Sequence, residues 1–305
     1  MRNWIGILLL STLVTTPAEH VRPADQTFLT YPEWFLVFSP AEYATFTRAH
    51  DPSEFPFLGH IKQFWESYHA VWRATRGKYP FNGGYHLMIM VIGTSTTAEY
   101  ALRSAYETVI GRLAEETRRH GPTQEDVLAS RVAQEYVDFI RVEPWYEFDF
   151  VDRLRQLWTT TDLWGRDPIR KWERKYALTS EYGVKAIYGW MIKKATKATY
   201  EEPLPVTVVI DDRGVARTLP RYEAFMKEAA ALAKQGVEFR EIAGNRGDIL
   251  LSVIVPASTR GDHVILRQPI LTEPGRERLL ISVPVAQLAP TLRRYEGSLE
   301  HVFDF

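Results

Sequence analysis

The feature that most constrains the fold is an internal recurrence without gaps. Residues 42–65, EYATFTRAHDPSEFPFLGHIKQFW, return at 135–158 as EYVDFIRVEPWYEFDFVDRLRQLW. At that constant offset Glu42, Tyr43, Phe46, Arg48, Glu54, Phe55, Phe57, Gln63 and Trp65 meet Glu135, Tyr136, Phe139, Arg141, Glu147, Phe148, Phe150, Gln156 and Trp158. A second, collinear match relates TAEYALRSAYETVI at 97–110 to TSEYGVKAIYGWMI at 179–192, at a shorter offset that absorbs the loop around 78–85. Two matches in the same order imply a tandem duplication of helical units, which must stack to bury their apolar faces. The repeat is placed at 42–112 and 135–194, inside a helical domain over 23–200.

Punctuation within each unit supports this reading. Ser39-Pro40-Ala41-Glu42 has the form of a capping box with proline at the first helical position, so a helix is predicted to begin there. Asp51-Pro52 ends it, and residues 57–75 resume helical spacing through Ile61, Phe64, Tyr68, Val71 and Trp72. A glycine- and proline-rich loop over 77–84 leads to a long helix over 85–119, closed at Gly121-Pro122. Thr123 with Asp126 caps the next helix, Pro144 breaks it, and helices over 151–158 and 169–197 follow.

Beyond Glu201-Glu202-Pro203-Leu204-Pro205 the hydrophobic period changes from helical to alternating, which marks the domain boundary. Residues 206–305 read as strand, Asp-Gly-type turn, strand, helix, four further strands separated by tight turns, helix and strand. Tight turns imply antiparallel pairing. The fold class expected is therefore α+β: a duplicated all-helical N-terminal domain followed by a small ferredoxin-like antiparallel α+β domain.

At the amino terminus, Arg2 precedes an apolar run over 4–14 and the small residues Thr16-Pro17-Ala18, the pattern of an export signal. Residues 1–22 are accordingly read as a signal peptide or, uncleaved, as an N-terminal anchor that tethers the chain to a membrane through residues 4–14; the localisation expected is extracytoplasmic, in the cell envelope. The net charge of −1 and pI near 6.7 provide no basic field for nucleic acid. With no cysteine, disulfides, thiolate metal sites and a cysteine nucleophile are excluded.

Candidate chemistry centres on the duplicated pair Glu99-Tyr100 and Glu181-Tyr182, each followed four residues on by a base, Arg103 or Lys185. Two carboxylates brought face to face shift each other's pKa and can share a proton. The alternative is an intrahelical Glu–Arg or Glu–Lys pair worth about 0.2–0.5 kcal/mol. A weaker candidate is the set His60, Glu66, His69 and His86, in which Glu-x-x-His places a carboxylate and an imidazole on one helical face. The second unit lacks these residues, carrying Arg153 opposite His60, which argues against a metal. Gly93, Thr97, Ala101 and Ala105, four apart, with Thr179 and Gly183, read as a close contact line between the two units. Nine tryptophans, eight of them in the helical region, favour an apolar ligand cavity or a membrane interface.

No phosphate loop, dinucleotide fingerprint, nucleophile elbow or zinc-protease helix occurs. The function expected is binding of a small apolar ligand or an envelope protein partner. The alternative is an enzyme that uses Glu99, Glu181, neighbouring tyrosines and histidines for acid–base or metal-assisted chemistry.

Overall fold

A computed structural model describes residues 26–196 and 206–304. The segment read as signal or anchor and most of the stretch read as the domain boundary lie outside the described residues. The chain is mixed helix and sheet, with a helical N-terminal part and a C-terminal antiparallel sheet region.

The helical part begins with α1 (Gln26–Phe46), a 3-10 turn (Pro52–Glu54), α2 (Phe57–Thr75) and α3 (Gly83–Tyr106). A π-helical turn (Glu107–Gly111) passes α3 into α4 (Arg112–Glu116). Then come α5 (Gln124–Ile140), a second 3-10 turn (Trp145–Glu147), α6 (Phe150–Thr160) and α7 (Pro168–Thr196). Local chemistry sets several ends. Thr123 and Asp126 form the reciprocal capping box of α5, Asn82 accepts from the Tyr85 N–H at α3, and Asp149 accepts from the Asp152 N–H at α6.

Ser39, expected to start a helix, instead lies inside α1, which runs through both Pro32 and Pro40. An interior proline removes a backbone hydrogen bond and is tolerated only under strong packing. Here Phe28, Leu29, Tyr31, Trp34, Phe35 and Phe38 are all buried, and the buried Ser39 hydroxyl pairs with that of Tyr100 at 2.9 Å.

The segments 42–65 and 135–158 adopt the same helix, 3-10 turn and helix. Each holds four rings in one arrangement. Tyr43 meets Phe55 edge-on at 5.1 Å and Tyr136 meets Phe148 edge-on at 5.3 Å. Phe46–Phe55 and Phe139–Phe148 lie at 5.7 and 5.4 Å, and Phe55–Phe57 and Phe148–Phe150 both at 4.9 Å. The Trp65 and Trp158 indoles donate to the hydroxyls of Thr97 and Thr179 at 3.0 and 3.1 Å.

The sheet region comprises β1 (Val206–Asp211), β2 (Ala216–Pro220), α8 (Glu223–Lys234), β3 (Phe239–Ile242), β4 (Asp248–Pro256), β5 (Val264–Pro269), β6 (Arg276–Pro284), α9 (Leu288–Arg294) and β7 (Leu299–Val302). Its strands form two antiparallel sheets, in the orders β2-β1-β3 and β5-β6-β4-β7. Gly236 at φ 82° ends α8, and Gly214 at φ 82° closes the β1–β2 turn, in which the Asp211 carboxylate accepts from the Arg213 and Val215 N–H groups.

Strand β4 is buried on both faces, and its two-residue period sorts the contacts. Ile249, Leu251, Val253 and Val255 join Phe225, Ala229, Leu288 and Leu292 beneath α8 and α9. Leu250, with Leu280 and Phe303, packs instead against Phe28, Leu29, Tyr31 and Trp34 of α1 and Val71 of α2. The aromatic stretch of α1 is therefore core shared by the two parts of the chain. A polar seam borders it: Tyr31 donates to the Gln268 side chain at 3.1 Å, Gln268 donates to the Gln63 carbonyl at 2.7 Å, and Gln63 donates to the Pro269 carbonyl at 2.7 Å.

Candidate functional site

Helices α3 and α7 lie antiparallel and are bridged by long side chains. Glu99 faces Lys185, Arg103 faces Glu181, the Tyr106 and Tyr176 rings lie 6.4 Å apart, and Glu107 faces Arg174. This pairing brings Glu99 and Glu181 into one cluster. Arg103 Nη1 donates to Glu181 Oε1 at 3.2 Å, Lys185 Nζ donates to the same oxygen at 2.8 Å, and Lys185 Nζ stands 3.2 Å from Glu99 Oε1. Glu99 thus pairs across the helices, whereas Glu181 is held both by its own i+4 neighbour and from the facing helix.

Each cation also sits over a ring quartet. The Arg103 guanidinium lies 4.4 Å from the Tyr43 ring centre and 5.4 Å from that of Phe57, and it donates to the Tyr43 hydroxyl at 2.7 Å. Lys185 lies 5.4 and 5.7 Å from the rings of Tyr136 and Phe150. Tyr100 stacks edge-on against Phe57 at 5.5 Å, and Tyr182 approaches Phe150 at 6.3 Å.

The electrostatics follow from this packing. Burial alone would raise the Glu181 pKa, but Arg103 and Lys185 outweigh it and hold the carboxyl down at about 2. Burial pushes the Tyr100 phenol up to about 12, and those of Tyr43, Tyr136 and Tyr182 also rise, chiefly from desolvation. Lys185 is pushed well above its ordinary value by Glu181 and Glu99, against the cost of its burial. At neutral pH Glu181 is a fixed carboxylate, Lys185 a fixed ammonium and the phenols neutral. A general acid or base needs a pKa near the working pH, and Glu181 and these tyrosines do not meet that requirement.

The histidine candidates do not converge. His60 is buried against Phe55, the rings stacked at 4.6 Å, with Nε2 3.7 Å from Glu42 Oε2; burial and the nearby Arg278 lower its pKa to about 3. His86 pairs through Nδ1 with the Tyr68 hydroxyl at 3.1 Å, His69 is exposed, and Glu66 pairs with Lys62 at 3.7 Å. Among the described residues no three His, Cys, Asp or Glu side chains are placed to hold a metal ion. A cavity of about 10 Å³ beside His60, lined by Phe35, Ser39, Phe64, Gly93 and Tyr100, matches a single water.

The small-residue stripe is not the contact line between the helical units. Gly93 makes room for Phe64 of α2, whose ring would stand 2.2 Å from an added Cβ, while Ala101 and Ala105 are exposed and an added Cβ on Gly183 meets open space. The units meet instead chiefly where α1 packs against α5, and the charged side chains of α3 and α7 bridge them beside that contact.

Sequence reasoning misses the buried ionic groups, among them those of Arg278 and Arg174. Arg278 on β6 is 2% exposed; it donates twice to Glu300, at 2.6 and 2.7 Å, and once to Glu42 on α1 at 3.0 Å, with the Phe38 ring 4.6 Å away. Arg174 donates to both oxygens of Glu107 at 3.0 and 2.8 Å, and the π-turn that aims Glu107 needs Gly111, where a Cβ would meet the Glu107 carboxylate at 2.3 Å. The one hint in the sequence is the recurrence of Glu42 as Glu135; nothing local marks its partner. Comparison with protein-family models, curated proteins and solved structures finds no match.

Proposed function

We propose that the chain is a non-enzymatic binding protein of the cell envelope, whose binding face is the outer surface of α3 and α7 and whose ionic cluster is a clamp holding that face together. The observation that carries this reading is the state of Glu181, locked between Arg103 and Lys185 with its pKa depressed rather than raised. The acid–base alternative needs the opposite shift. A second support is the exposure of large apolar side chains on the outer side of both helices, among them Leu102, Val184 and Ile187, which is the mark of an interaction surface. Extracytoplasmic placement rests on the apolar run at 4–14.

The same reading takes the helical part as a tandem duplication. The matched ring quartets, the paired tryptophan–threonine bonds and the crossed pairs Glu99–Lys185 and Arg103–Glu181 support it. The four-stranded sheet is read as a derivative of the ferredoxin-like type. Its order β7-β4-β6-β5 is that of the type, but a loop links β4 to β5 and α8 arrives from before β3.

The test is cosedimentation of the full chain with isolated envelope fractions, beside a variant carrying L102D, V184D and I187D. The wild type is expected in the pellet and the folded variant in the supernatant. Equal partitioning of the two overturns the assignment of the binding face.

A further inference from the structure

Helix α7 is built inside out. Its charged side chains Arg170, Lys171, Arg174 and Lys175 are all buried and paired inward: Arg170 with Asp126 at 2.9 Å and Glu115 at 3.1 Å, Lys171 with Glu125 at 2.9 Å, Arg174 with Glu107, and Lys175 with the Thr161 hydroxyl at 2.7 Å. The opposite stripe, Ile169, Trp172, Tyr176, Val184, Ile187 and Trp190, is exposed, and no exposed residue of α7 before Lys194 carries a charge. This reverses the amphipathic pattern of a helix on a water-facing surface. Helix α3 repeats it with Leu87, Met90, Val91 and Leu102 outward; its one exposed charge, Glu99, is tied sideways to Lys185.

The two stripes share one side of the molecule. Each helix turns its buried positions to the core, Ile89 and Gly93 on α3 and Leu178 and Tyr182 on α7, and touches its neighbour sideways through Arg103 and Glu181. At about 100° per residue the exposed positions then fall opposite the core on both helices. The result is a two-helix apolar plate; α3, at 24 residues, is about 36 Å long.

We infer that this plate docks on a lipid bilayer, lying in the interface plane rather than crossing it. This inference rests on the binding reading above and names the partner. No described helix is long and apolar enough to cross a membrane. The chemistry favours lipid over a second protein. Protein interfaces fix their register with hydrogen bonds and paired charges, and the outer stripes supply almost none, whereas hydrocarbon demands none. Trp172, Tyr176, Tyr188 and Trp190 are amphipathic rings suited to the headgroup boundary. Lys194, its ammonium 4.0 Å from the Trp190 ring centre, and Arg166, beside the exposed Trp164, place basic charge at both ends of α7, complementary to anionic headgroups. Stable membrane attachment takes two signals, and the apolar run at 4–14 is the other. Helix α1 meets the first turn of α3, where the Tyr85 hydroxyl donates to Glu33.

Because the chain has no cysteine, single labels can be placed at will. Full-length V184C, and D212C in the exposed β1–β2 turn of the sheet region, are each coupled to an environment-sensitive fluorophore and mixed with protein-free vesicles of phosphatidylglycerol and phosphatidylethanolamine. The Val184→Cys label is expected to shift to the blue on vesicles and the Asp212→Cys label to stay aqueous. The L102D/V184D/I187D variant, its fold checked by circular dichroism, is expected to bind vesicles at least tenfold more weakly. Brominated lipids provide a reading on the unmodified protein: they should quench tryptophan emission less in W172F/W190F than in the wild type. Flotation with both labels aqueous would assign binding to the amino-terminal run alone and overturn the inference. Envelope binding without vesicle binding, or self-association blocked by the triple variant, also overturns it while leaving the binding face in place. No binding to vesicles or envelope, without self-association, removes both readings.

Discussion

The buried Arg278 should be the most sensitive ionic position in the protein, and Arg278→Met tests why. The guanidinium is 2% exposed, fills the space over Phe38 and bridges Glu300 on β7 to Glu42 on α1. Methionine keeps much of the apolar stem but leaves two carboxylates without their cation, their side chains only 12% and 13% exposed. Removing one partner of a buried ionic group costs about 3–5 kcal/mol, because an uncompensated charge remains. Replacing the whole group by neutral residues of similar shape costs far less, so E42Q/R278M/E300Q should recover most of the loss. The pH dependence has a fixed sign. Burial already raises the Glu42 pKa against the pull of Arg278; without Arg278 the rise is larger, so the native chain binds more protons than the unfolded one and stability rises as pH falls from 7 towards 5. Urea unfolding of the three proteins at pH 7 and pH 5 measures all of this. A loss under about 1 kcal/mol for R278M at pH 7 would refute the reasoning, as would a triple variant no more stable than the single one.

Phe57→Ala and Phe150→Ala, at 2% and 4% exposure, should each cost about 3–5 kcal/mol in chemical denaturation, whereas the cost of Trp158→Ala should be well below that because Trp158 is 45% exposed. Glu181, with its pKa lowered from 4.5 to about 2, contributes stability above pH 4.5 that is lost as pH falls towards 2. Its worth is about 2–3 kcal/mol after allowance for the open fifth of the side chain, so the acid unfolding curve of E181Q should be flatter than that of the wild type over that window. Gly93→Ala drives a Cβ into the buried Phe64 ring and should cost about 1–3 kcal/mol, with partial rescue by Phe64→Leu; a neutral Gly93→Ala in the same urea assay would contradict the close approach.

Features that depend on neighbours in sequence are legible without a structure. The Thr123–Asp126 capping box, the stop at Gly236, the helix–turn–helix of residues 42–65 and 135–158 and the change to alternating strands after residue 205 all appear where the residues place them. Each rests on contacts within a few residues, so local spacing carries the information. Ser39 misleads because a capping pattern is a weak local preference, and the packing of α1 against both α2 and the sheet overrides it.

Glu42 finds Arg278 across 236 positions, and the pairing of Glu99 with Lys185 rather than Arg103 depends on which helix lies alongside. No periodicity encodes a partner on another element. The orientation of α7 was likewise decided only in three dimensions. Its sequence displays an apolar stripe and a charged stripe, and helical spacing identifies both, but the usual rule turns the apolar one inward. Here Glu107, Glu115, Glu125 and Asp126 from three other segments converge to receive the charged stripe. With those partners in place, the buried charges are compensated and the apolar stripe is left facing out.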